Sequence, residues 1–216
     1  MNITNDLVTQ YINGFYTPLD DELSRLRSLA EEQRVPIILR ETESVLGFLV
    51  RALRPQRVLE IGAAVGYSAA FFAKSGAKQV VTVEKDEATA DKALSNVRAM
   101  GLEDRIRVIT GDGEEAVREN LSEEEPFDLV FIDAAKSHYK RFLDACLPLC
   151  RDGALIISDN VLLKAATASD QFDPGGRFKT NVKNMRIYLK YISEHPNLDT
   201  TIMSCGDGLA LSRYKI

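Results

Sequence analysis

The apolar positions of this chain fall into three regimes. In the first, residues 5–15 and 20–33 carry helical spacing, with Leu7, Tyr11, Ile12 and Phe15, then Leu23, Leu26, Leu29 and Ala30. Thr17-Pro18 separates the two runs, and an apolar connector containing Pro36 covers 34–40. A third helix is predicted over 41–53, stopping before Pro55. In the second regime short β-branched runs alternate with helical patterns. Strands are predicted at 57–61, 79–84, 105–110, 127–133 and 153–158, and helices at 66–75, 87–100, 112–121, 138–147 and 179–194. In the third, Thr200–Ser204, the turn Cys-Gly-Asp-Gly and Leu209–Tyr214 read as strand, tight turn, strand.

Strand–helix alternation predicts an α/β fold with a parallel sheet covered on both faces, and the closing hairpin predicts a last strand antiparallel to its neighbour. At 216 residues the chain is read as a single domain, 1–216, with a helical cap over 1–54 and an α/β core over 55–216. The longest irregular stretch is 159–178, a length at which loops usually have a function or are disordered.

Charge and cysteine content narrow the partners. The net charge of −5 gives no global attraction for nucleic acid, so a polyanion needs a local basic patch. Cys146, Cys150 and Cys205 are odd in number and form no C-x-x-C pair, which fits core thiols in a reducing compartment. There is no charged-then-apolar leader and no apolar run near 18 residues, so a soluble cytoplasmic protein without membrane partners is expected.

The chemistry centres on Arg57–Ser68, where a buried strand runs into Gly62 and Gly66 and then a helix. Such a turn lets backbone approach a ligand and presents unpaired helix N–H groups. The pattern is E-x-G-x-x-x-G, with Ala64 where a dinucleotide fingerprint has its second glycine. That side chain crowds a pyrophosphate, and Glu60 suits a cationic ligand. S-adenosylmethionine, with an ammonium and a sulfonium, meets both conditions; a bare structural turn is the alternative. In open α/β sheets ligands sit at the carboxyl ends of strands. Glu84, about twenty residues after the turn, is placed for ribose hydroxyls or is a surface acid in a charged run. Asp112, between Gly111 and Gly113, accepts from an adenine amino group, caps the next helix, or does both. Strands four and five end at Asp133 and at Asp159-Asn160. Together these are hard oxygen ligands for Mg²⁺ or a similar divalent cation; apart, the two acids are helix caps.

The segments VLEIGAAVGYS, VVTVEKD, DLVFIDAAKSHY and ALIISDNVL and the closing GDGLALSR resemble the metal-dependent class I O-methyltransferases, the family of the catechol and caffeoyl-coenzyme A enzymes. The chain is most similar to a short bacterial branch that methylates 5-hydroxyuridine in the tRNA anticodon. The resemblance implies a Rossmann-like seven-stranded sheet with an antiparallel last strand, and a homodimer. It also implies that Asp133, Asp159 and Asn160 bind the metal and Glu84 the ribose. Gly62, Tyr67 and Ser68 match the cofactor loop, Asp112 and Gly113 the adenine side, and Ile38 the connector that closes over the cofactor. Asp133 also lies beside the cofactor in the family, and Lys136 matches the general base of the catechol enzymes. A nearby dication favours the neutral form of that lysine, and the neighbouring acids oppose this. The chain departs from the catechol enzymes at Ala134 and Ala135, where those carry His and an aromatic residue, so the pocket floor is more open.

Two open positions on Mg²⁺ favour adjacent oxygens, which a catechol and 5-hydroxyuracil both have. The discriminating stretch is 174–193, with Arg177, Lys179, Lys183, Arg186 and Lys190 and no acid, which Lys164 could join. It is a tRNA phosphate patch or a solvated helix face. Tyr188 and Tyr191 stack on bases or belong to the core, and His138 lies at the site's mouth or merely begins a helix. A small-molecule O-methyltransferase and a cofactor-binding module without turnover are the other readings.

Overall fold

The computed structural model describes residues 5–122 and 125–216; residues 1–4 and 123–124 of the expected 1–216 domain lie outside the described residues. Before Arg57 the described chain is helical, with α1 at Asp6–Asn13, α2 at Asp21–Glu32 and α3 at Arg40–Leu53. Asp20 caps α2 by accepting from the Leu23 amide at 2.8 Å. Arg54 ends α3 by turning left-handed (φ 48°) ahead of Pro55.

The core follows as β1 Arg57–Ile61, α4 Tyr67–Ser75, β2 Gln79–Glu84, α5 Glu87–Ala99, β3 Ile106–Thr110 and α6 Gly113–Asn120. It continues as β4 Phe127–Ile132, α7 Tyr139–Cys146, β5 Cys150–Asp159, α8 Lys179–Glu194, β6 Leu198–Met203 and β7 Leu209–Tyr214. The seven strands form one sheet in the order β3-β2-β1-β4-β5-β7-β6. β1 to β5 pair in parallel, and β7 runs antiparallel to both β5 and β6. That is the seven-stranded sheet the resemblance implies.

Every residue of β1 and β4 is buried, because each face of the sheet carries helices. Leu23, Leu46, Phe72 and Val97 of α2 to α5 pack on one face. Val117, Leu143 and Tyr188 of α6 to α8 pack on the other. The crossovers change face between β1 and β4, so a topological switch point opens there at the strands' carboxyl ends.

Some boundaries differ from those read off the sequence. β5 begins at Cys150 rather than 153, since Cys150 pairs with Phe127 before the register shifts. β6 begins at Leu198, and the 138–147 helix is a 3₁₀ turn at Lys136–His138 followed by α7. The apolar positions Leu7, Tyr11 and Ile12 of α1, and Phe15 just beyond it, are exposed rather than packed on the core. Among the described residues no helix is long and apolar enough to cross a membrane. Cys146 and Cys150 are buried free thiols, as expected, whereas Cys205 is only half-buried and lies at the edge of the core.

A buried polar knot fastens the cap to the core. Glu43 of α3 accepts hydrogen bonds from the Tyr16 hydroxyl (2.8 Å), the Tyr67 hydroxyl (2.6 Å) and the Arg27 guanidinium. Arg27 of α2 also donates to the Ile38 carbonyl at 3.0 Å. Arg27 is 5% exposed and Glu43 2%, so removing one partner strands the other's charge away from water. Glu43→Ala is expected to destabilise the protein by about 3–5 kcal/mol. Tyr16→Phe, which deletes a single hydrogen bond, should cost about 1 kcal/mol. Thermal unfolding of the two variants checks the ranking, and equal midpoints would sink it.

Candidate active site

A cavity of about 780 Å³ opens at the switch point. Its shape begins with Gly62, at the end of β1. Gly62 has φ 106°, and a Cβ on it would lie 2.1 Å from the Asp133 carbonyl oxygen. The exits of β1 and β4 can therefore touch only because position 62 has no side chain. One bond extends their pairing past the sheet, from the Asp133 amide to the Ile61 carbonyl at 3.0 Å.

Between Gly62 and Gly66 (φ 80°), Ala64 adopts φ 45°. Its amide donates to Glu84 Oε2 at 2.9 Å, and the Asp86 amide donates to Oε1 at 3.1 Å. Glu84 thus shapes the glycine loop and lines the cavity with its carboxylate already oriented, as a ribose acceptor must be. Ser68 faces the cavity from the first turn of α4. The Tyr67 ring lines it too, while the hydroxyl points away into the Glu43 knot. Ile38 closes the wall from the connector, held by Arg27 through its carbonyl.

On the opposite side, Asp112 caps α6 through the Glu114 amide (3.1 Å) and pairs with Arg141 (2.6 Å) and Lys85 (3.2 Å). Burial raises its pKa, but the Glu114 amide, Lys85 and Arg141 outweigh this and hold it below the ordinary value. Capping and lining the cavity therefore hold together for this residue. At Gly113 a Cβ would meet Ile61 at 2.7 Å and Phe142 at 2.9 Å, so glycine there keeps the wall thin.

Glu60 departs from the expectation. It is fully buried beneath the cavity rather than lining it, and the Thr82 hydroxyl donates to its Oε2 at 2.5 Å. The strand's pleat points residue 60 into the sheet's packed face, whereas the backbone of 61–64 reaches the ligand space. Burial pushes its carboxyl up to about 7; the Ser68 and Thr82 hydroxyls oppose this, and Asp133 and Glu84 add to it.

At the acceptor end, Asp133, Ala134, Ala135, Lys136 and Asn160 all line the cavity. Asp133 pairs with Lys136 Nζ at 2.6 Å. Lys136 also donates to the Tyr139 hydroxyl (2.9 Å), which donates to the Asp159 carbonyl (2.9 Å). Asp159 lies just below the surface, fully buried. Its Oδ1 accepts the Asn160 amide at 2.7 Å and its Oδ2 has no hydrogen-bond partner. Burial, reinforced by Asp133, pushes the Asp159 carboxyl up to about 8. Two acids and a carboxamide, one carboxylate oxygen of which is buried without a partner, fit a divalent cation. Among the described residues no group of three His, Cys, Asp or Glu forms a metal cluster; the donor set here has an amide in third place.

The basic stretch divides. Lys164 lines the cavity, and α8 packs against the Lys136–His138 turn at its edge. Lys179, Lys183 and Lys190 are exposed on α8, and Arg177 just before it. Arg186 is exposed as well, but its guanidinium is engaged, donating to the Thr167 carbonyl (2.9 Å), the Ala166 carbonyl (3.3 Å) and Asp170 (2.8 Å). Tyr188 is buried against Ser158 (2.5 Å), whereas Tyr191 is half-buried, its hydroxyl donating to Asp144 (2.8 Å) and Lys140 Nζ lying over its ring at 4.1 Å. His138 lines the cavity beside Phe142. Lys85, Phe142 and Asp207 line it as well and were not legible as site residues. Phe142 reads as helix core, and Asp207 as a turn residue.

A switch-point cavity with an acidic loop partner and a glycine-thinned wall has the geometry of a nucleoside-cofactor site, and the relatives identify it as that of an S-adenosylmethionine-dependent methyltransferase. The O-methyltransferase family model matches residues 19–215, and the chain belongs to that family. It is 33% identical over 174 residues to a catechol O-methyltransferase of Mycobacterium tuberculosis, covering 77% of this chain and 76% of that one. It is 28% identical to a catechol O-methyltransferase of Niastella koreensis, over 96% of each chain. Among solved structures, a Staphylococcus aureus protein of the caffeoyl-CoA O-methyltransferase type superposes with a TM-score of 0.90 at 30% identity, covering 97% of this chain and all of the other. The Bacillus cereus O-methyltransferase, solved with S-adenosylhomocysteine, gives 0.83 at 28% identity, with 97% of each chain covered.

Glu60 makes the cofactor-free fold sensitive to pH. Its carboxyl titrates near 4.5 unfolded and about 7 folded, so between those values the native state holds the extra proton. Its contribution is fully present below about pH 4.5 and is lost as pH rises through 7, by at most about 3 kcal/mol. Glu60→Gln should therefore melt higher than the parent at pH 8 and close to it at pH 5. Parallel pH–Tm curves for the two would contradict the assignment.

Proposed function

We propose that this enzyme is a Mg²⁺-dependent O-methyltransferase that converts 5-hydroxyuridine to 5-methoxyuridine at the wobble position of tRNA. The observation that carries the reading is one juxtaposition. The cavity's acceptor end is lined by Asp133 and Asn160 with the partnerless Oδ2 of Asp159 buried just beneath, and its rim holds Lys164 with the cationic α8 alongside. The first suits two adjacent oxygens, and the second suits phosphates.

Asp133, Asp159 and Asn160 would hold the metal, which when bound lowers the pKa of a coordinated hydroxyl and fixes its direction. The remaining work falls to side chains. Glu84 accepts from the ribose of S-adenosylmethionine, and Ser68 meets the methionine carboxylate at the start of α4. Methyl transfer is an in-line displacement. The S–CH₃ bond breaks as the O–CH₃ bond forms, and the hydroxyl proton goes to Lys136 Nζ, which takes it as the free amine after releasing its own proton to solvent. Holding both reactants in line supplies most of the acceleration. Ala134 and Ala135 leave room for a base entering on its own backbone, and a tRNA substrate with reduced core thiols fits a cytoplasmic setting. The exposed apolar face of α1 is available to a second copy in the homodimer that the family resemblance implies.

A second reading, methylation of a free catechol, is favoured by the relatives of that name. Labelled S-adenosylmethionine offered with hypomodified tRNA and with a small catechol, each with and without Mg²⁺, separates the two. Under the tRNA reading, label enters tRNA, falls steeply between about 50 and 200 mM salt, and drops in a Lys179→Ala/Lys183→Ala variant. Labelling of the catechol alone moves the function to small molecules, and transfer that persists in chelator removes the metal from both.

A further inference from the structure

The backbone leaving β5 is held in a conformation that its residues disfavour. Asn160 has φ 56°, and Leu163, Lys164 and Ala165 follow at 47°, 54° and 69°. Three consecutive non-glycine residues in the left-handed region bring each Cβ close to the following carbonyl, so the surrounding structure must hold them there. The β6–β7 turn does so. The Val161 amide donates to the Gly208 carbonyl and the Leu162 amide to the Asp207 carbonyl, each at 3.0 Å. The Lys164 amide, inside the left-handed run, donates to Asp207 Oδ1.

The fit leaves little freedom. A Cβ on Gly208 would lie 2.9 Å from the Leu162 amide nitrogen and 2.5 Å from its side chain, so the turn packs directly on the strap formed by residues 160–167. Val161, Leu163 and Ala166 are buried beneath the strap, and Arg186 of α8 ties down its far end at Ala166 and Thr167. Between these anchors Asn160 and Lys164 face the cavity, and so does Asp207 itself. Asp207 is thus the side chain that meets a main-chain donor within the strained run.

We propose that Asp207 is a positioning residue: by accepting the Lys164 amide it holds the 163–165 left-handed turn, and so sets Asn160 and Lys164 toward the acceptor end of the cavity. The role belongs to the acceptor side of methyl transfer and holds whether the acceptor is a tRNA base or a catechol. The cofactor loop, Glu84 and the Tyr67 knot lie on other segments, so the cofactor side does not depend on it.

The test uses the whole protein and whichever acceptor it methylates. Asp207→Ala removes the hydrogen-bond acceptor, and Asp207→Asn keeps an oxygen for the Lys164 amide while removing the charge. The expected result for Asp207→Ala is an acceptor KM raised by about tenfold, S-adenosylhomocysteine affinity by calorimetry within about twofold, and faster hydrogen exchange at the 162–166 amides. Asp207→Asn should stay near the parent in all three. Adding Ala165→Gly to Asp207→Ala should recover much of the KM, since glycine takes a positive φ without the Cβ cost. Several results overturn the proposal. One is Asp207→Asn as impaired as Asp207→Ala with exchange unchanged, which makes the charge itself the functional element. Others are a parental acceptor KM in Asp207→Ala, or an equal loss of cofactor affinity, which marks general destabilisation. If Asp207→Ala does not fold, Asp207→Asn decides alone: protected 162–166 amides with near-parental KM support the role, and any other result rejects it.

Discussion

The contact between Gly62 and the backbone of Asp133 is the constraint on which the site rests. β1 and β4 are neighbours whose following segments leave toward different parts of the molecule, and the gap between them is the ligand space. With a Cβ at 62 lying 2.1 Å from the Asp133 carbonyl, any side chain there would push the end of β4 outward. That movement would carry Asp133, the open floor of Ala134 and Ala135, and Lys136 away from the cofactor loop together. A single missing side chain thus couples cofactor geometry to acceptor geometry.

Around that contact the protein gathers acids whose repulsion it does not fully relieve. Glu60 is buried below the loop and Asp159 below the floor, with Asp133 near both, and burial raises the first two well above ordinary carboxylates. Asp112 escapes this by accepting the Glu114 amide and facing Arg141 and Lys85. The division is physically sensible. An acid that accepts an amide or faces a cation keeps its charge without water, whereas one buried under-satisfied takes up a proton or a cation. The ammonium and sulfonium of S-adenosylmethionine are cations that such a field attracts.

The walls are held from outside the sheet. The Arg27–Glu43–Tyr67 knot ties the connector bearing Ile38 and the first turn of α4 to the helical cap. On the acceptor side, Asp207 and Arg186 brace the strap after β5 from two different elements. Arg186 illustrates how tertiary context reassigns a residue: its place in a basic stretch suggests phosphate binding, yet two of its hydrogen bonds are to the strap and a third is to Asp170. The cationic face that remains on α8 is made of lysines that are free to face solvent.

Period and punctuation determined the architecture, because each was a local property. β-Branched runs buried on both faces, helical spacing between them, and Asp, Gly and Pro at their ends were enough to place β1 to β5, α2 to α8 and the reversed last strand. The residues at strand ends were legible for the same reason: Gly62, Glu84, Asp112, Asp133 and Asn160 all reach the cavity. Properties that depend on distant segments were decided only by the tertiary structure. The pleat buried Glu60 under the site, and packing against α2 and α3 wired the Tyr67 hydroxyl into the cap rather than the ligand. The approach of the β6–β7 turn to the strap made Asp207 part of the cavity, across more than forty residues of chain. No local pattern marks such a residue, because what recruits it is the hydrogen-bond need of a backbone it meets only after folding.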